Sequence, residues 1–206
     1  MTNYLHEGDI PSDIDWGDAV AVDTEAMGLN NLRDRLCVVQ MSSGDGDAHL
    51  VHFPTADYDT VPNLKKLMAD DAIQKMFHFA RFDVAIIKHY LGVEMGNIYC
   101  TKIASKLCRT YTDRHGLKDL CRELLDVELS KQQQSSNWGA PTLTEEQITY
   151  AASDVLYLHG LKDKLETMLI SAGRQEIAHK TMAFLPVRAE LDLMGWSESD
   201  IFSHSS

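Results

Sequence analysis

The chain lacks any apolar run approaching the roughly 18 residues a membrane-spanning helix needs. It opens Met-Thr-Asn-Tyr-Leu-His-Glu-Gly-Asp, with neither the basic start nor the apolar stretch of a secretory signal. Its four cysteines (37, 100, 108, 121) show no C-x-x-C spacing, which argues against a zinc site and a disulfide framework. They read as reduced core residues of a cytoplasmic protein. Positive charge is also scarce: 19 Lys and Arg face 31 Asp and Glu, leaving a net −12. Tight, sequence-blind binding of long nucleic acid needs many Lys and Arg contacts to phosphate, so that class is disfavoured. Internal repeats and low-complexity tracts are absent too.

What is present suits a single α/β domain of 206 residues, 44% hydrophobic and 24% charged. One stretch runs against the acidic trend. Between Lys102 and Arg122 there are six Lys and Arg against Asp113 and Asp119, a local net of +4. It reads equally as a solvated helical face or as a phosphate-facing surface.

Residues 19–25 form a short β-branched run that predicts a buried strand, with Gly28 at the turn leaving it. Residues 36–42 and 48–53 bracket Gly-Asp-Gly-Asp and predict a hairpin with a tight turn. A helix is expected over 63–69, a strand over 72–77 and a helix over 82–91 closed by Gly92. Two helices (101–109, 116–125) and a polar loop (130–141) follow. Thr142 with Glu145, or Thr144 with Gln147, matches a capping box for one long helix toward Leu169. A last helix over 174–193 is interrupted at Pro186, and the tail about 194–206 exposes Trp196, Ile201 and Phe202. Strands first and helices later give an α/β fold with a mixed sheet flanked by helices.

On this frame the acids fall into a pattern. Asp23 and Glu25, two apart on a strand, project from one face. Asp83 lies in the first turn of a helix. Tyr150 and Asp154, four apart on a helix, share a face. Carboxylates without Cys or His partners suit Mg²⁺ or Mn²⁺, and several in one pocket repel unless cations neutralise them. Two such ions about 4 Å apart clamp the attacking and leaving oxygens of an in-line phosphoryl displacement. In that arrangement Asp23 bridges both ions, Glu25 and Asp154 complete the water-activating one, and Asp83 serves the other through water. Tyr150 aims the attacking water. Each motif alone is weak, since Asp-x-Glu is usually a turn carboxylate and Tyr-x-x-x-Asp is usually core and surface. Together and in this order they point to phosphodiester hydrolysis at a strand end.

The three motifs, Asp-Thr-Glu-Ala-Met-Gly-Leu (23–29), Phe-His-Phe-Ala-Arg-Phe-Asp (77–83) and Tyr-Ala-Ala-Ser-Asp (150–154), resemble those of the DEDD 3′-5′ exonucleases in their tyrosine-bearing branch. The chain is similar to ribonuclease D-like domains over nearly its whole length, most of all to the short bacterial form called nano-RNase C. Asp-Arg-Leu-Cys-Val-Val-Gln (34–40), Tyr-Thr-Asp-Arg-His-Gly-Leu-Lys (111–118) and Ser-Lys-Gln-Gln-Gln-Ser-Ser-Asn-Trp (130–138) carry that likeness. The resemblance implies an RNase H-like mixed sheet, release of nucleoside 5′-monophosphates, a preference for diribonucleotides such as pGpG, and a closed ring of eight subunits. Two departures from the wider pattern matter. Those enzymes usually have Asn where this chain has Phe79, and larger relatives add helical RNA-binding domains. Both point to small substrates.

Around the acids, Thr24, Met27, Gly28 and Leu29 follow or interleave the first motif, and Met27 and Leu29 could wedge between the last two bases or simply cover the core. His78, Phe79 and Arg81 flank the second motif, with Arg81 read equally as a phosphate contact or a surface ion pair. Lys131, Gln134, Ser135 and Trp138 sit where a 5′-phosphate or sugar would be met, although a polar loop is more often just solvated. Arg109, Tyr111, Arg114 and His115 form a basic, aromatic-bearing loop suited to substrate or subunit contact, or to plain exposure. The expected function is a metal-dependent 3′-5′ exoribonuclease on short RNA, assembled as a homo-oligomer with no membrane partner. Its rivals are a broader exonuclease on longer RNA or DNA ends, and an inactive nuclease fold that binds nucleic acid.

Overall fold

The strand that carries the first acidic pair, β2 (Ala19–Ala26), lies inside a six-stranded sheet of order β1-β4-β3-β2-β5-β6 in the computed structural model, which describes residues 2–130 and 132–204. On one side β2 pairs antiparallel with β3 (Leu36–Ser42), Asp23 opposite Gln40. On the other it pairs parallel with β5 (Gln74–Phe77), Ala21 opposite Met76. β3 and β4 (Ala48–His52) form the expected hairpin, Val39 opposite Val51. Every residue of β3 is buried, and Val20, Ala21 and Val22 of β2 are fully so. The apolar runs form strands because both faces of the central sheet are covered.

Two strands escaped the sequence reading. β1 (Asn3–His6) adds parallel to β4, and β6 (Ile98–Cys100) adds parallel to β5. β1 has mostly exposed residues, so no alternation marks it; backbone pairing and the stacking of Tyr4 and His6 on His49 hold it. β6 spans three residues, too few for a period. The strand expected over 72–77 begins at Gln74, and the hairpin's second strand ends at His52 rather than Phe53.

The helices are α1 (Pro62–Ala69), α2 (Ala80–Leu91, closed by left-handed Gly92), α3 (Thr101–Cys108) and α4 (Leu117–Leu125). The long helix expected toward Leu169 is two: α5 (Glu145–Ser153) and α6 (Leu158–Ser171). The capping box is Thr144 with Gln147, both reciprocal bonds present. After Ser153 the backbone tightens, the Asp154 N–H reaching the Ala151 carbonyl and Val155 that of Ala152. No Gly or Pro marks the break, so periodicity could not reveal it. Its result is that α5 packs on β1, β3 and β4, whereas α6 packs on α3, α4 and β5. α7 (Gln175–Ala183) and α8 (Leu185–Leu191) divide where Pro186 was expected to interrupt, and a π-helical turn (Asp192–Trp196) follows. Trp196, Ile201 and Phe202 are exposed, as the tail's composition implied. Among the described residues no helix is long and apolar enough to cross a membrane.

Candidate active site

β2 has an antiparallel neighbour on one side and a parallel one on the other, and side chains near its carboxyl end open into a cavity of about 730 Å³. Asp23, Thr24, Glu25, Asp83, Tyr150 and Asp154 all line it. Asp23, Glu25 and Asp154 each offer a carboxylate oxygen within 4.8 Å of the others. Asp83, in the first turn of α2, is buried and accepts a 2.6 Å bond from Thr24 Oγ1. Gln40 Nε2 donates to Asp23 Oδ2 at 2.8 Å across the β2–β3 pair. Tyr150 occupies the last turn of α5 and Asp154 its C-cap, so the helix break described above positions this pair.

Electrostatically the cluster is unbalanced. Among the described residues no Lys or Arg forms an ion pair with any of the four carboxylates. Burial, then repulsion from Asp83, Asp154 and Glu25, holds the Asp23 carboxyl well above the usual range. Burial, with Asp154 and Asp83, pushes Glu25 up to about 9. Burial lifts Asp154 to about 7; it also lifts Asp83 to about 7 against the opposing Thr24 hydrogen bond. Burial, then Asp154, Glu25 and Asp23, raise Tyr150, so its phenol keeps its proton at neutral pH. An all-oxygen donor set with unneutralised charge fits hard divalent cations.

The rim follows the sequence reading less closely. Met27 and Leu29 line the cavity and are 53% and 89% exposed, although Gly139 sits against the Met27 sulfur. A Cβ at Gly28 would collide with the Asp34 carboxylate, which the Asn30 N–H and Arg33 hold in place. Phe79 stands at the α2 N-cap in left-handed backbone (φ 74), with Lys102 Nζ 4.4 Å from its ring centroid. Asn, the residue usual here in the wider family, adopts that backbone more readily than an aromatic. His78, Gln134 and Ser135 also line the cavity. Trp138 lines it but is buried, its ring 6.1 Å from that of Tyr150, so it backs the tyrosine.

Three expected contacts, Arg81, Arg109 and Tyr111, fall elsewhere. Arg81 is paired with Asp192 at 2.5 Å and with the Ser197 carbonyl, the ion-pair alternative. Arg109 is wholly buried, bonded to Glu123, Ser105 Oγ and the Arg114 carbonyl, where it pins the following loop. Tyr111 is 74% exposed and outside the cavity. Lys131 lies outside the described residues. Conversely, Lys102, Lys118, Asp119 and Ser130 line the cavity without having been singled out. The +4 stretch was the available signal, and only these two of its six cations face the acids.

Residues 9–170 match the model of the 3′-5′ exonuclease domain. The chain belongs to the 3′-5′ exonuclease family. Ribonuclease D of Granulibacter bethesdensis is 31% identical over 166 residues, covering 81% of this chain and 41% of that one. The chain therefore spans about two fifths of the length of such ribonucleases D. Brucella melitensis NrnC bound to pGG superimposes with a TM-score of 0.95 at 56% identity, and the same protein with bound Mg²⁺ with a TM-score of 0.94 at 55%, each covering 100% of both chains. Escherichia coli RNase D, at 24% identity and a TM-score of 0.74 over 84% of this chain and 45% of that one, shares the fold. The sheet and its flanking helices are those of the RNase H-like exonuclease fold.

Proposed function

We propose that this chain is a divalent-cation-dependent 3′-5′ exoribonuclease that hydrolyses short oligoribonucleotides, diribonucleotides such as pGpG above all, to nucleoside 5′-monophosphates. The observation that carries this reading is the convergence of four uncompensated carboxylates and a tyrosine in one cavity. Asp23, Glu25 and Asp154 would hold one cation; Asp23 with Asp83 would hold a second, Asp83 through water because Thr24 occupies its Oδ1. Bound Mg²⁺ or Mn²⁺ supplies the positive charge that eases ionisation of water and steadies the leaving oxygen.

The remaining work belongs to side chains. The protonated Tyr150 hydroxyl, near Asp154, Glu25 and Asp23, orients the attacking water by hydrogen bonding. Gln40 and Thr24 fix the carboxylates they touch. The bond broken joins phosphorus to O3′ of the penultimate nucleotide; that oxygen takes up a proton, and the terminal nucleotide leaves as its 5′-monophosphate. Lys102 and Lys118 offer charge to phosphates at the cavity wall.

Short substrates are favoured because the cavity has the size of a small-ligand pocket, about 300–1,000 Å³. The likeness to a protein holding pGG supports the same reading. Rates on 5′-labelled RNAs of two to seven nucleotides and on a DNA duplex test it. The dinucleotide should be fastest, and a rate that climbs with length would replace the reading with a general trimmer. The exposed Trp196, Ile201 and Phe202 further support assembly with copies of itself, by resemblance an octameric ring. Light scattering that finds single chains would remove that part.

A further inference from the structure

His78 is the cavity residue whose hydrogen-bonding role can be worked out from its surroundings. It follows Met76 by two residues, as Asp23 follows the paired Ala21, so it leaves β5 alongside the strand end that carries the first acid. Its Nδ1 lies 2.9 Å from Thr101 Oγ1. That hydroxyl has a single proton and donates it to the Phe77 carbonyl at 3.2 Å. Thr101 Oγ1 must therefore accept from His78, which places the ring proton on Nδ1. Nε2 is left as an acceptor. It has no hydrogen bond among the described residues, and the ring is only partly buried. His78 lines the cavity, and its inner edge is committed to buried Thr101. Burial and the nearby Lys102 push His78 down to about 3, so the ring stays neutral in the physiological range.

A neutral nitrogen with no proton cannot grip phosphate. It needs a donor. The acids at the cavity floor place the sugar-phosphate there, and the donors that portion of an RNA carries, whatever its bases, are ribose hydroxyls. We propose that His78 Nε2 accepts a hydrogen bond from a ribose hydroxyl of the bound strand and so reads the sugar. This rests on the RNA reading above and deepens it.

The test compares wild type, His78→Phe and His78→Gln on a parent diribonucleotide and on analogues lacking one hydroxyl: 2′-deoxy at either nucleotide, and 3′-deoxy at the terminal one. Wild type should prefer the parent over one analogue by about tenfold in kcat/KM, the order of one neutral hydrogen bond. His78→Phe should lose that factor on the parent while changing the matching analogue by less than about twofold. His78→Gln, which returns an acceptor oxygen, should recover part of the preference. Binding of the same pairs in Ca²⁺, without turnover, should show the same split. The analogue that becomes insensitive identifies the hydroxyl. An equal loss on parent and every analogue, or a wild type indifferent to each hydroxyl, would overturn the proposal. A change only when guanine is replaced by hypoxanthine would assign His78 to a base amino group and overturn it as well. Because each comparison is made at fixed length, it is independent of the length series that tests the short-substrate reading.

Discussion

The floor of the cavity and its rim are built from different kinds of residue, and they obey different rules. On the floor, acids sit on β2, α2 and the α5 C-cap, held by Thr24 and Gln40. Four carboxylates gathered without a cation are costly, so such a cluster has few structural excuses. The cations and polar side chains around that floor lie on helices, helix ends and loops, where ion pairs and caps are ordinary. Arg81 and Arg109 are both consumed by acids of their own surroundings. A buried like-charge cluster is thus strong evidence of a site, whereas a basic stretch is weak evidence.

The comparison breaks most directly at the floor. Asp23→Ala and Asp154→Asn should each lower hydrolysis by about 10³-fold or more with an unchanged circular dichroism spectrum. Turnover near wild type in either would move the reacting centre elsewhere. EDTA should abolish activity, with Mg²⁺ or Mn²⁺ but not Ca²⁺ restoring it.

Tyr150→Phe removes one hydroxyl and should reduce kcat by about 10²-fold with KM nearly constant, which steady-state kinetics would separate. A change confined to KM would make the tyrosine a binding residue.

The next effect is on stability. The four carboxyls have folded pKa values above their unfolded ones, Glu25 about 9 and Asp83 and Asp154 about 7. Folded protein then holds protons that the unfolded chain has released. This contribution is full below about pH 4 and is lost as pH rises through 7 to 9. In EDTA the Tm should fall over that window, Mn²⁺ should reverse the fall, and Asp154→Asn should flatten it. A metal-free Tm that rises from pH 6 to 9 would contradict the described cluster.

The smallest effect on chemistry is expected at Arg109, buried and outside the cavity. Arg109→Met should cost about 1–3 kcal/mol in denaturant unfolding, because Glu123, Ser105 and the Arg114 carbonyl lose a donor. Dinucleotide affinity well below the transition should change little. A large loss of affinity at unchanged stability would return Arg109 to the substrate.

How much of this was legible follows the same division. β2, the β3–β4 hairpin and α2 were readable because alternation, turn residues and helical spacing agreed there. The residues lining the floor could be named from three short motifs. β1 and β6 could not be read, since a partly exposed edge strand and a three-residue strand carry no period. The α5–α6 break lacks any Gly or Pro, and tertiary packing on two different neighbours creates it. Gln40 was quoted within a motif without a role. Only the register opposite Asp23 gives it one.

The order in which these parts are made has its own consequence. The sheet's last strand ends at Cys100, and Asp154 is synthesised 54 residues later. At about 5–20 residues per second, translation leaves a gap of several seconds between them. Until the last few residues of that stretch, the growing chain carries three of its four acids and neither Tyr150 nor Asp154. The ribosome thus completes the whole sheet before the acid cluster can close.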